Sequence, residues 1–183
     1  MSTSTHAKLL PGLLTALALS GAAQAGGPYV IHTVSPCRVV DTRYAVAGPF
    51  PGSGQRLAAN QIVSFYVTGD EIAGQGGDLP DCGIPYGTAK GMFINVTAVR
   101  PQGTGTSGYL TLYPYGESKP TASTINFQPD TIALANGVMV PLCDPAVSTC
   151  TYDLTVANGP GLAVHMVIDV TGYLAEEGGG AAN

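Results

Sequence analysis

The sequence predicts an all-β fold: an antiparallel β-sandwich, jelly-roll or Ig-like, of about nine short strands stapled by disulfides. Three observations predict it. Strand-like runs recur at short intervals between segments rich in glycine and proline, of which the chain has 25 and 14. No stretch repeats its apolar residues with a helical period. Four cysteines stand in a chain only 10% charged, as in a secreted domain that supplements its core with covalent links.

The runs follow in order. Tyr29 to Val34 and Arg38 to Arg43 are the first two β-prone stretches. Ala45 to Asn60 is a long loop. Gln61 to Thr68 is rich in β-branched and aromatic residues and suits a strand. Asp70 to Tyr86 is a second loop, carrying the acids Asp70, Glu71, Asp78 and Asp81. Gly91 to Val99 alternates, with Met92, Ile94, Val96 and Ala98 on one face. Tyr109 to Tyr113 sets Leu110 and Leu112 opposite Tyr109, Thr111 and Tyr113. The Gly-rich turn Pro101 to Gly108 between these two predicts a hairpin. Ser123 to Phe127 and Val138 to Leu142 are shorter strands. Thr151 to Ala157 points Tyr152, Leu154 and Val156 inward. Leu162 to Tyr173 carries Leu162, Val164, Met166, Ile168 and Val170 on its core face. The glycine-rich end, residues 175–183, reads as a flexible tail.

The start of the chain reads as a secretory signal, residues 1–25. His6 and Lys8 precede an apolar run from Leu9 to Leu19, and Ala23-Gln24-Ala25 offers a small-x-small cleavage site. The run is shorter than the roughly 20 residues needed to cross a bilayer. The rest, residues 26–174, suits one domain. The expected location is therefore secreted, extracellular or at the cell surface. With a formal net charge of −5 and no basic cluster, nucleic acid is not an expected partner. Anionic lipid is not one either.

Cys37, Cys82, Cys143 and Cys150 allow three pairings. A short turn-rich loop, Asp144 to Thr149, makes Cys143 and Cys150 the natural local pair, which leaves Cys37 to Cys82. The spacings fit no zinc pattern. Cys37 opens the densest charge in the chain, Arg38-Val39-Val40-Asp41-Thr42-Arg43. Its distant counterpart is Asp169-Val170-Thr171-Gly172-Tyr173.

These two stretches resemble the ends of a family of secreted bacterial β-domains that open with Arg-x-x-Asp-Thr-Arg and close with Asp-Val-x-Gly-Tyr. Cys82-Gly83-Ile84-Pro85, Asn95-Val96-Thr97, Gly108-Tyr109-Leu110-Thr111 and Ser123-Thr124-Ile125-Asn126-Phe127 are similar to landmarks between them. The resemblance implies an accessory module of exported or surface proteins and supplies no catalytic residues. A subgroup with both cysteines supports the Cys37–Cys82 pairing.

Four kinds of site are expected or weighed. Arg38, Asp41, Arg43 and Asp169 are expected to form a structural ion-pair network. Arginine's planar fork suits carboxylates. In an extended strand Asp41 and Arg43 share a face and Arg38 takes the other. Two carboxylates could also serve acid–base hydrolysis, which needs them in an open cleft; serine catalysis lacks its nucleophile elbow, since Gly52-Ser53-Gly54 does not have the pattern. The expectation is thus a non-catalytic chain with no metal site, His32 and His165 serving packing or surface. The acidic loop could hold calcium through oxygen ligands, and no other cofactor is expected. Tyr109, Tyr113 and Tyr115 form a candidate binding surface, since exposed tyrosines bring contact area at low entropy cost.

Two functions compete. The first is a structural module of the cell surface or extracellular matrix, a homo-oligomer or partner of other surface proteins, assembling into filaments by strand addition through Tyr29 to Val34. The second is a carbohydrate-binding module that holds polysaccharide on the tyrosine face.

Overall fold

The computed structural model describes residues 28–46 and 54–177. The expected signal segment lies outside them. The chain forms two four-stranded antiparallel sheets that share one core. Strands β1 (Tyr29–Asp41), β8 (Leu162–Glu176), β3 (Gly91–Gly103) and β6 (Ala133–Pro141) make the first sheet, in that spatial order. Strands β2 (Ile62–Phe65), β7 (Leu154–Asn158), β4 (Gly108–Pro114) and β5 (Ile125–Phe127) make the second. Cys37 is bonded to Cys82 and Cys143 to Cys150, which fits an oxidising compartment.

Strand count and boundaries differ from the sequence expectation of about nine. The first two β-prone runs are one strand, β1, so there are eight among the described residues. Its ladder with β8 passes from Thr33↔Gly172 to Cys37↔Val170 through an irregularity and continues. β8 also runs beyond Tyr173, the end read from the sequence. Ala175 pairs with Val30 and is fully buried, so the expected tail 175–183 begins inside the core. β6 starts at Ala133, well before Val138.

β3 and β4 do not form a hairpin. They lie in different sheets, each already paired on both sides. β3 stays on β8 through Gly103↔Leu162. The chain then crosses between the sheets at a close approach of glycines. A Cβ on Gly105 would sit 2.7 Å from Gly161 Cα, and the Gly105 N–H donates to the Gly161 carbonyl at 3.2 Å. Met92, Ile94, Val96 and Ala98, one face by period-2 alternation, are the row the structure buries. Alternation names a face and is silent about the neighbouring strand.

One end of the sandwich is sealed. Asp70–Gln75 forms a short 3-10 helix between the edges of β1 and β2. Gln75, fully buried, donates from Nε2 to the Tyr66 carbonyl at 2.7 Å and to the Val39 carbonyl at 3.5 Å. Its Oε1 accepts from the Tyr66 N–H at 2.9 Å. One amide thus satisfies backbone groups at both sheet edges, where each unpaired group would cost about 1–3 kcal/mol. The next residues run against β1, and the Asp78 N–H donates to the Arg38 carbonyl at 2.8 Å. Deeper in, Asp153 Oδ2 accepts from the Val67 and Thr68 N–H groups and the Thr68 hydroxyl at 2.8–2.9 Å. Burial pushes that carboxyl up despite these donors.

Candidate functional site

The charged motif sits where β1 ends against β8. Cα pairing runs Arg38↔Asp169, then Val40↔Ile168, with a bulge that leaves Val39 without an opposite residue. The bulge corrects the face assignment read from the sequence. An uninterrupted strand would send Arg38 away from Asp41, whereas one extra residue turns both to the same outer face. All four motif residues meet there.

Asp41 is the hub. Its carboxylate is fully buried. Oδ1 accepts from Arg43 Nε at 2.8 Å and from the Arg43 N–H at 3.1 Å. Oδ2 accepts from Arg43 Nη2 at 2.6 Å and Arg38 Nη1 at 3.2 Å. Arg38 turns its remaining fork to Asp169, with Nε to Oδ1 at 2.9 Å and Nη2 to Oδ2 at 3.4 Å. The bond to Asp169 raises the Arg38 guanidinium, and the bond to Asp41 raises that of Arg43. Both Asp41 oxygens are occupied by these donors, an arrangement that fastens the strand end.

The residues between the ions have uses of their own. Thr42 exchanges with Met166: its N–H donates to the Met166 carbonyl, and its hydroxyl accepts from the Met166 N–H, both at 3.0 Å. The hydroxyl proton is then free to donate to His165 Nδ1 at 3.2 Å. The closing motif is explained by the same strand pair. Thr171 is bulged out of the β3–β8 ladder, which carries the inward row from Val170 to Tyr173. A Cβ on Gly172 would lie 2.8 Å from the His32 carbonyl of β1. Tyr173 stacks on His32 at 4.9 Å between ring centroids.

Beside the motif the outer face of the first sheet holds a hollow of about 530 Å³, lined in part by Arg38, Arg43, Arg56, Arg100, His165 and Tyr44. Arg56 Nε donates to the Arg100 carbonyl at 3.1 Å. Among the described residues neither Arg56 nor Arg100 is salt-bridged to an acid. Asp169 also lines it, and with Arg38 and Arg43 paired to Asp169 and Asp41 the positive charge left to attract an anionic group is that of Arg56 and Arg100. The sequence singled out neither arginine, because Arg56 and Arg100 are far apart in the chain and meet only through the loop bridge Leu57↔Val164 and the end of β3.

The tyrosine row is not a continuous open platform. Tyr113, expected on an exposed face, is only 7% accessible. β4 is an inner strand whose outer side is covered by the segment after it: Thr111 donates from its hydroxyl to the Ala122 carbonyl at 3.3 Å. Burial raises the Tyr113 hydroxyl accordingly. Tyr109 is half-buried, its ring packed on Gly159 and faced by Lys119 Nζ at 5.5 Å. Tyr115 is half-buried and meets Tyr152 edge-on.

In the acidic loop, Asp78 accepts from the Arg38 N–H at 2.9 Å and Asp81 from the Gly83 N–H at 2.7 Å. Asp70 and Glu71 begin the 3-10 helix. No three His, Cys, Asp or Glu side chains converge as metal ligands among the described residues.

The segment considered as a donor strand, Tyr29 to Val34, is paired within its own chain, Tyr29 to Glu176 through Thr33 to Gly172. That pairing takes only one side of the strand, and the sheet has a second open edge at its other end. β6 is an edge strand of nine residues without a charge, paired among the described residues to β3 alone. Its residues Ala133 to Gly137 are exposed on both faces, and Met139 is 51% accessible. Comparison with family models, curated proteins and solved structures found no match for this chain.

The clamp gives two expected outcomes. Asp41→Ala removes a buried acceptor of charged hydrogen bonds and lowers unfolding free energy by about 2–3 kcal/mol. Asp169→Ala, which breaks a solvent-screened pair, lowers it by only about 0.5–1 kcal/mol. Urea unfolding of both variants checks the order, and equal losses would contradict it.

The second outcome concerns His165. Burial, then the charges of Arg56 and Arg43, hold its ring below the usual 6.5, against the Gln55 backbone and Asp41, which pull it up. A lowered folded value means that its stabilising contribution is full above the unfolded value and is lost as pH falls through the folded one. The melting temperature should therefore fall on acidification below about pH 6.5, with a shallower slope in His165→Gln. An unchanged slope in the variant would refute the assignment.

Proposed function

We propose that this protein is a secreted structural module of the cell surface or extracellular matrix that associates with copies of itself through a sheet edge. The single observation that carries the reading is β6. Edge strands invite pairing with another chain, and proteins blunt them by shortness, charge, proline or a covering loop. The second sheet ends in strands of four and three residues, β2 and β5. The far half of β1 is covered by the loop with Gln75 and Asp78. Among the described residues β6 has no such protection before Pro141. The resemblance to secreted bacterial β-domains and the two disulfides support an exterior location.

A second reading, carbohydrate binding, is favoured by the arginine-lined hollow, where Tyr44 is exposed and Arg43 lies 5.3 Å from its ring centroid. Its ligand would be an acidic polysaccharide, and its site is distinct from the tyrosine row.

Size-exclusion chromatography with electron microscopy of the purified protein separates the two. The structural reading expects regular assemblies that grow with concentration. A monomer at every concentration, retained on an insoluble acidic polysaccharide, would contradict it and favour the second.

A further inference from the structure

β6 is one of two open edges on the same sheet, and the backbone register shows which groups each presents. In an antiparallel ladder alternate residues turn both N–H and C=O toward one neighbour. The Leu142 N–H donates to the Lys90 carbonyl and the Arg100 N–H to the Ile132 carbonyl. The register between these bonds has no shift. The even-numbered residues of β6 therefore bond to β3, and Ala133, Ala135, Gly137 and Met139 turn their backbone groups outward. On the opposite edge the Glu177 N–H donates to the Pro28 carbonyl. With Tyr29↔Glu176 next in register, Tyr29, Ile31 and Thr33 turn theirs away from β8. From Arg38 onward that edge is taken by Asp78 and Gln75. The open part of β1 is thus Tyr29 to Thr33.

Direction and face then agree. Each strand of β1-β8-β3-β6 is antiparallel to the next, so β1 and β6 run oppositely. A second copy in the same orientation, set beside β6, presents its β1 antiparallel to β6. The outward-turned residues of both edges carry their side chains on the outer face: His32 and Val140 face the core, and Ile31 and Met139, 63% and 51% accessible, do not. Joining the edges therefore keeps inner face with inner face, with no slip in register.

Side-chain size selects this pairing over β6 against β6. The outer row of β6 is small from Ala133 through Ala135 to Gly137, where an added Cβ would meet nothing within 4 Å, and ends in the larger Met139. The outer row of β1 holds the large exposed Tyr29 and Ile31. Large side chains laid across small ones bury apolar surface, whereas two copies of β6 would bring only Met139 across the small row and leave Tyr29 and Ile31 of β1 open. Neither Tyr29 to Thr33 nor β6 carries a formal charge to oppose the contact.

We propose that β6 of one copy pairs antiparallel with Tyr29–Thr33 of the next, head to tail, so that the four-stranded sheet continues from copy to copy. Because the two surfaces differ, the contact is heterologous and does not close on itself without a rotation that completes a ring. This rests on the self-association reading and names its interface.

Two proline variants of the full chain test it. Ala135 and Ile31 both turn their N–H groups outward, so Ala135→Pro and Ile31→Pro remove no hydrogen bond within the sheet, the setting in which edge strands accept proline. Each variant alone should be monomeric by light scattering, with wild-type circular dichroism. An equimolar mixture should give a discrete dimer of twice the monomer mass, since each supplies the edge the other lacks. A dimer of Ile31→Pro alone would overturn the proposal in favour of β6 against β6. Wild-type-like assembly of Ala135→Pro would overturn the interface and leave self-association standing, whereas a monomeric wild type would overturn both. If a proline variant unfolds, Ala135→Lys and Ile31→Lys carry the same test, with charge as the block.

Discussion

A β-sheet must end somewhere, and at each end a row of N–H and C=O groups needs a partner or water. The fold treats its edges unequally. Between β1 and β2 the sandwich is closed by one buried glutamine, a short 3-10 helix and a disulfide from Cys37 to Cys82. On the opposite side β6 stands with its backbone open among the described residues and no charged side chain. The hydrogen bonds of Gln75 and the absence of any equivalent beside β6 among the described residues give the molecule its polarity, and the functional reading follows from that polarity.

The Arg-Asp clamp belongs to the same problem. β1 is an edge strand and β8 its single partner. Asp41, buried between two guanidiniums, stops the strand where the chain must leave the sheet, and Thr42 repeats the ladder once with a hydroxyl in place of a carbonyl. A buried carboxylate is costly without partners, and here four donors surround it. The Lys90–Asp144 bridge at 2.6 Å plays a related part at the base of the Cys143–Cys150 loop. Burial alone would raise the Asp144 carboxyl. The bond to Lys90, the Ala146 N–H and the lysine's charge outweigh it and hold the carboxyl low.

Faces are more legible in this sequence than neighbours. The inner rows of β3 and β8 are visible as alternating apolar residues, and the charged motif stands out against a sparsely charged chain. The strand partners do not. The Pro101 to Gly108 segment has the composition of a hairpin turn, yet Gly103, Gly105 and Gly161 are there to let backbones cross closely. Bulges at Val39 and Thr171 each add one residue, which reverses the faces that strict alternation assigns, and nothing in the local sequence announces them. Tyr113 looks exposed because β4 reads as half-buried, whereas an inner strand covered on both sides buries both rows. Ala133 to Gly137 has little β propensity and is a strand because β3 offers an open edge. Gln75 and the hollow of Arg56 and Arg100 depend on contacts between distant segments that no local pattern encodes.

The central claim is that the open edges of β1 and β6 are the surfaces that meet. Residue-resolved amide hydrogen exchange, compared between dilute monomer and concentrated assembled protein, tests it directly. New protection should arise at Ala135, Gly137, Ile31 and Thr33, the amides that face outward, with no change at the short edges β2 and β5. Protection arising at Ile62 to Phe65 or Ile125 to Phe127, with the β6 amides still exchanging freely, would contradict it.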